Sequence, residues 1–182
     1  MDERTRTITW PDPRTHAAAI GKRSGLELLR AILDGTLPQA PMGHTLDFRL
    51  VAAEPGMTRF RGEPGEHLLN PMGVVHGGWS ATLLDSAMGA AVMSTCDAET
   101  AHITTQLNVY FTGVIASGSG PVVAEGRVVQ RGARIVTAEG RITDGEGKLL
   151  AHGTAACLLT TRPHNLRRPR PTTPHFSRGR YS

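Results

Sequence analysis

The chain has 182 residues, of which 39% are apolar and 4% aromatic, and its formal net charge is +4. That length fits one domain with a working hydrophobic core, and no apolar run approaches the roughly 20 residues that span a bilayer. Met1 to Trp10 mixes charged and polar residues and has no signal-peptide core, so a soluble, cytoplasmic protein without a membrane partner is expected.

Residues 1–22 carry Pro11 and Pro13 and little periodic pattern, which predicts a flexible N-terminal arm. Ser24 and Glu27 have the spacing of a capping box. Leu26, Leu29, Ile32 and Leu33 then recur at helical spacing until Gly35, predicting a short amphipathic helix. From His44 the period changes to two. Leu46, Phe48 and Leu50 alternate with Thr45, Asp47 and Arg49, the pattern of a half-buried strand. Pro55-Gly56 turns the chain into a second strand, Met57 to Gly62. After Pro64-Gly65 comes an irregular stretch containing Asn70-Pro71.

Gly78 to Ser94 reads as a second helix, apolar almost all round, which must be covered on several sides. Four strands are expected after it, over about 101–112, 121–131, 133–144 and 148–160, separated by Gly-rich hairpin turns. Antiparallel strands wrapped around a central helix are the economical packing for this order, an α+β architecture with a short extra N-terminal helix. The expected domain covers 23–160, with its core at 44–160.

Beyond it, 161–182 holds six arginines (Arg162, Arg167, Arg168, Arg170, Arg178, Arg180) and no acidic residue, so the chain without this +6 carries −2. The basicity belongs to a tail. Its prolines and arginines cannot build a core, so a disordered basic tail without a specific nucleic-acid partner is expected. Cys96 and Cys157 stand apart, without the clustering of zinc or redox motifs, and are expected as buried free thiols.

Between Val74 and Cys96 the ionisable groups are His76 and Asp85. A carboxylate inside an apolar helix must neutralise or find partners. Asp85 could lock packing against a strand, lie on an exposed stripe with Thr82 and Ser86, or act chemically. His76-Gly77-Gly78 stands where the chain enters that helix. There the backbone can approach a ligand, its N–H groups are free, and the helix dipole favours negative charge. A carbonyl oxygen bound there would meet an oxyanion-hole-like field.

Asn70-Pro-Met-Gly73-Val-Val-His76-Gly77-Gly78, followed by Leu84-Asp85-Ser-Ala87-Met-Gly89, resembles the signature of hotdog-fold thioesterases. The subgroup it is similar to is the phenylacetate-pathway and 4-hydroxybenzoyl-CoA type, over about residues 44–160. The resemblance implies a hotdog fold and hydrolysis of an aryl- or medium-chain acyl-CoA to free acid and CoA, with no metal and no other cofactor. Asp85 would be nucleophile or general base, and Gly77, with His76 beside it, would polarise the thioester carbonyl. Asn70 would position the thioester or the lytic water, and Thr104 falls where relatives often place a hydroxyl. The sites would lie between protomers of a homodimer, or of a homotetramer built as a dimer of dimers. Arg131 and Arg134, flanking Gly132 in a hairpin, are candidates for the CoA phosphates or simply residues of a solvated turn. Trp79, Leu83 and the 110–116 segment are expected to shape acyl specificity. Three alternatives stay open: a non-catalytic acyl-CoA-binding or sensing module, a hotdog hydratase or dehydratase, and a nucleic-acid-associated role through the arginine tail with the domain as scaffold.

Overall fold

The computed structural model describes residues 2–161, so the basic tail expected over 161–182 lies, apart from Thr161, outside the described residues. Its long helix, α4 (Gly77–Met93), is wrapped by one six-stranded antiparallel sheet. The strands are β1 (Phe48–Glu54), β2 (Met57–Gly62), β3 (Thr100–Phe111), β4 (Val122–Arg131), β5 (Ile135–Thr143) and β6 (Leu149–Thr161). Their order across the sheet is β1-β2-β4-β5-β6-β3, which leaves the 12-residue β3 at an edge.

Three short helices precede the sheet: α1 (Arg14–Ala19), α2 (Gly25–Leu33) and α3 (Pro41–Leu46). In α2 the capping box closes as expected. Glu27 Oε2 accepts from Ser24 N–H at 2.7 Å, and Glu27 N–H donates to Ser24 Oγ at 3.3 Å. Leu28, Leu29 and Ala31 are its buried apolar side chains. The helix docks on the C-terminal end of α4, where Gly25 N–H donates to Cys96 O at 2.9 Å.

The strand expected from His44 is corrected. His44 and Leu46 lie in α3, and β1 begins only at Phe48. Pro41, pre-set for the first turn of a helix, starts α3. Asp47 ends it in the left-handed region (φ 51°), a conformation that Asp tolerates better than most residues. The alternation of apolar residues across that boundary mixes two elements. Helix α1 is a further element without a periodic signal in the sequence, and none of its residues is buried.

The core forms where the sheet meets α4. Leu83, Leu84, Ala87, Met88 and Val92 are fully buried against Val122, Ala124, Val136, Ala138 and Ile142. Each large side chain removed from water this way contributes about 1.5–3 kcal/mol. The approach is closest at Ala87, whose carbonyl accepts from Thr58 Oγ1 at 2.7 Å. A Cβ on Gly126 would stand 2.4 Å from that carbonyl group. Gly126→Ala should therefore destabilise the fold by at least about 2 kcal/mol, because backbone rather than a flexible side chain would have to move. Its urea midpoint should fall accordingly; an unchanged midpoint would contradict this packing.

On the outer face of the sheet Glu125 is 7% exposed. Burial alone would raise its carboxyl pKa. The hydrogen bonds from Arg127 (2.7 Å) and Arg59 (2.6 Å) overcome this and hold it below the ordinary value. A folded-state pKa below the unfolded one gives stability that is present above the unfolded pKa, about 4.3. That stability is lost as pH falls through the folded value. Glu125→Gln should accordingly flatten the acid limb of a stability–pH curve measured by thermal melting.

Candidate active site

The irregular stretch before α4 is held by its own backbone and by Asn70. Asn70 Oδ1 accepts from Met72 N–H (2.9 Å) and Val74 N–H (3.3 Å), and Asn70 N–H donates to Val74 O at 2.8 Å. Gly73 supplies the positive φ (77°) that the turn needs. Val75 N–H donates to Ile115 O at 2.9 Å, tying this loop to the one after β3. His76 is the N-cap of α4, and its Nδ1 accepts from Gly78 N–H at 2.9 Å. With Nδ1 so used, Nε2 carries the proton of the neutral ring. Gly77 N–H has no hydrogen-bond partner among the described residues. It is thus a donor at the positive end of a helix, available to an incoming oxygen.

Asp85 sits two turns further along α4, on its half-buried stripe with Thr82 and Ser86. The neighbouring hydroxyls turn back onto the helix: Thr82 Oγ1 donates to Gly78 O and Ser86 Oγ to Thr82 O. Asp85 Oδ1 is buried and has no hydrogen-bond partner among the described residues. A lone buried carboxylate oxygen costs stability.

Facing the helix are Cys157 of β6 and Thr104 of β3, with Thr104 Oγ1 3.8 Å from Cys157 Sγ. Burial pushes the Cys157 thiol pKa up, the Thr104 hydrogen bond opposes this, and the negative charge of Asp85 adds to the rise. Asp85 and Thr104 therefore share one neighbourhood around Cys157. The ladder between β3 and β6 shifts register between Thr104 and Gln106, a bulge of the kind that re-aims side chains next to sites. Iodoacetamide at pH 8 should leave Cys157 unmodified in the folded protein and modify it once urea unfolds the chain. Peptide mapping by mass spectrometry reads this out, and rapid labelling of the native state would contradict it.

The residues singled out in the sequence fall at three places on one chain. Asn70, His76 and Gly77 gather at the start of α4, and Asp85 and Thr104 lie midway along it. Arg131 ends β4 and Arg134 stands in the β4–β5 turn, where Gly132 N–H donates to Ile135 O and Arg131 Nε to Thr95 O, beyond the far end of α4. Eight residues of helix separate Gly77 from Asp85, about 12 Å along the axis at 1.5 Å per residue. Trp79 and Leu83, expected to shape the pocket, instead fill the core of their own chain. Trp79 stacks under Gly62 and donates from Nε1 to Leu46 O at 2.7 Å. Cys157, expected as a buried free thiol, is one, and it stands beside Thr104. The alternation of small inward residues Gly153, Ala155 and Cys157 along β6 was the signal that places it against the helix.

Among the described residues no group of three or more His, Cys, Asp or Glu side chains could hold a metal ion. No helix among them is long and apolar enough to cross a membrane.

Residues 72–151 match the family model of the thioesterase superfamily. Among solved structures, a phenylacetic acid degradation-related protein from Ralstonia eutropha is 26% identical, with a TM-score of 0.65 over 71% of this chain and 98% of that one. A thioesterase from Haemophilus influenzae is 18% identical, with a TM-score of 0.63 over 68% and 87% of the two chains. A Streptococcus mutans protein bound to acetyl-CoA is 24% identical, with a TM-score of 0.58 over 63% and 90%. No curated protein matches the sequence. Residues 72–151 are thus similar to the thioesterase superfamily, and the chain has the hotdog fold of these neighbours. The family match and the Ralstonia eutropha neighbour support a thioester hydrolase.

Proposed function

We propose that this protein hydrolyses an aryl- or medium-chain acyl-CoA to the free acid and CoA, in the cytoplasm, at sites shared by two protomers of a homodimer. The observation that carries this reading is Asp85, a carboxylate with a buried, unpartnered oxygen on an otherwise apolar helix. The acetyl-CoA carried by the Streptococcus mutans neighbour supports the CoA thioester as substrate.

In the proposed reaction the thioester carbonyl oxygen accepts a hydrogen bond from Gly77 N–H, whose place at the helix start favours the developing negative charge. The Asn70 side-chain amide and His76 Nε2–H stand on the same loop as further donors. Asp85 takes a proton from water as its oxygen attacks the carbonyl carbon. Collapse of the adduct breaks the C–S bond and expels the CoA thiolate, which takes up the proton. Direct attack by Asp85, with hydrolysis of the resulting anhydride, needs the same residues. The Thr104 hydroxyl, 3.8 Å from Cys157 Sγ, is the further group we assign to the water. The 131–134 turn, with Arg131 and Arg134, offers cations for CoA phosphates.

Shared sites follow from distance. Gly77 and Asp85 of one chain, about 12 Å apart on a rigid helix, cannot meet one carbonyl carbon together. A two-fold partner brings the second chain's helix start to the first chain's Asp85. The long free edge of β3, with Ile103 and Tyr110 exposed, supports strand-to-strand pairing as the means. Pairing of such dimers into a tetramer is the larger assembly we propose.

A panel of acyl-CoA substrates with chromogenic detection of the released thiol tests the activity. Turnover of at least one aryl- or medium-chain acyl-CoA is expected. Asp85→Asn should lower kcat by on the order of a hundredfold or more while the circular dichroism spectrum and melting temperature stay close to wild type. No turnover on any acyl-CoA would favour a binding or sensing module instead. Wild-type turnover in the variant would remove Asp85 from the mechanism.

A further inference from the structure

Asp47, which ends α3, is the one non-glycine residue with a positive φ (51°) among the described residues. A left-handed backbone costs an L-residue stability and persists where its surroundings hold it. Several segments do so here. Asp47 O accepts from Glu63 N–H at 2.8 Å, just past the end of β2. Its carboxylate is shared: Oδ1 accepts from Arg6 Nη2 at 2.5 Å, and Oδ2 stands 3.3 Å from His67 Nε2. Arg6 also donates from Nη1 to Thr45 O at 3.3 Å. The residue before Asp47, Leu46, accepts at its carbonyl from Trp79 Nε1 at 2.7 Å, in the first turn of α4. His67 lies in a single 3-10 turn, Glu66–Leu68, and Leu68 O accepts from His76 N–H at 2.8 Å. One path from Asp47 thus runs through Leu46 to Trp79, and another through His67 and Leu68 to His76. Gly77, whose N–H has no partner among the described residues, lies between the two end points.

We propose that Asp47 is a positioning residue for the start of α4, and that Arg6 clasps it, so that the N-terminal arm acts as a strap holding Gly77 N–H and the Asn70–His76 loop in their working geometry. This rests on the thioesterase reading above and adds to it residues that touch no substrate. Residues 2–10 form no helix or strand, so side-chain contacts set where the arm lies. An exposed ion pair contributes little to that, and the pair of Arg4 with Glu66, 3.4 Å apart with side chains 74% and 62% exposed, is of this kind. The Arg6 and Asp47 side chains are only 31% and 35% exposed. A guanidinium that spans a carboxylate and a carbonyl is also fixed in direction. His67 is fixed in turn: its ring lies over Gly65, where a Cβ would stand 2.8 Å from His67 Cε1. A donor aimed at developing charge works only while it is held in place. Loosening the clasp therefore reaches the reaction through the orientation of Gly77, not through the binding of substrate.

The test compares wild type with Arg6→Ala, Arg6→Lys, Asp47→Asn and the double variant Arg6→Ala/Asp47→Asn. It measures kcat and KM on whichever of benzoyl-CoA and hexanoyl-CoA turns over faster, the melting temperature, and amide hydrogen exchange of peptides covering 68–79. Arg6→Ala and Asp47→Asn should each lower kcat roughly tenfold, inside the roughly hundredfold that a misplacement of about 1 Å can cost. KM and melting temperature should stay close to wild type, and exchange over 68–79 should quicken. The double variant should lose no more than Asp47→Asn, because both changes break one contact. Arg6→Lys, which keeps the charge, should fall between wild type and Arg6→Ala. Wild-type kcat in Arg6→Ala, or losses that multiply in the double variant, overturn the proposal. So does a raised KM at unchanged kcat, which would put the arm in substrate binding. Arg6 lies outside every helix and strand, so its variants decide the matter even where Asp47→Asn fails to fold. If the wild type hydrolyses no acyl-CoA, the thioesterase reading has failed and exchange alone judges the strap. Faster exchange over 68–79 in Arg6→Ala then sustains it, and unchanged exchange overturns it.

Discussion

Helix α4 buries Trp79, Leu83, Leu84, Ala87, Met88, Ala91 and Val92, and a helix with so little polar surface is insoluble until something encloses it. The six strands do so. Their inward positions are matched to its surface, with glycine where backbone meets backbone, as at Gly126 over Ala87, and where a large side chain intrudes, as at Gly62 under Trp79. Thr58 adds a hydrogen bond to the helix carbonyl at the point of nearest approach. The same enclosure fixes two polar features of the helix: an N–H at Gly77 without a partner among the described residues, and a half-buried carboxylate at Asp85.

Those two features are held on one rigid rod at a separation too large for one thioester. In the proposed reaction this rigidity would aim Gly77 and Asp85 and keep a single chain from bringing them together. The loop that carries Asn70 is built for the first of these tasks. Its side-chain oxygen is spent on Met72 and Val74 N–H groups, so Asn70 shapes the loop as well as presenting its amide. Around Asp85 the helix hydroxyls of Thr82 and Ser86 are likewise turned onto backbone carbonyls. The polar groups near the carboxylate satisfy themselves and leave its Oδ1 without a partner among the described residues, while burial first, and the Asp85 charge after it, push the Cys157 thiol pKa up.

Much of this was legible in the sequence, because the governing signals are local or periodic. Ser24 and Glu27 announced α2, Pro55-Gly56 the β1–β2 turn, and the unbroken apolar run the buried helix. The resemblance over Asn70 to Gly89 led to the loop and helix that carry the site residues. What was hidden depends on contacts between distant segments or on backbone geometry. Pro41 and the left-handed Asp47 turned an alternating pattern at His44–Leu46 into helix. Trp79 looked like a pocket residue until Gly62, seventeen positions earlier, was seen to receive it. Cys157 is defined by what lies across from it, Thr104 and Asp85, and no spacing along the chain encodes that pairing.

The central claim, that an acyl thioester is cleaved by Asp85 of one protomer and the Asn70–Gly77 loop of another, is tested most directly by complementation. Asp85→Asn and Asn70→Ala would each damage both sites of their own homodimer. A mixed dimer would hold one doubly damaged site and one intact site. With random pairing half of the dimers are mixed, so refolding an equal mixture of the two inactive variants should restore about a quarter of wild-type turnover if sites act independently. Distinct affinity tags verify the mixed dimer. Recovery near that level is the predicted result, and a verified heterodimer with no activity above the parent variants would contradict the shared site.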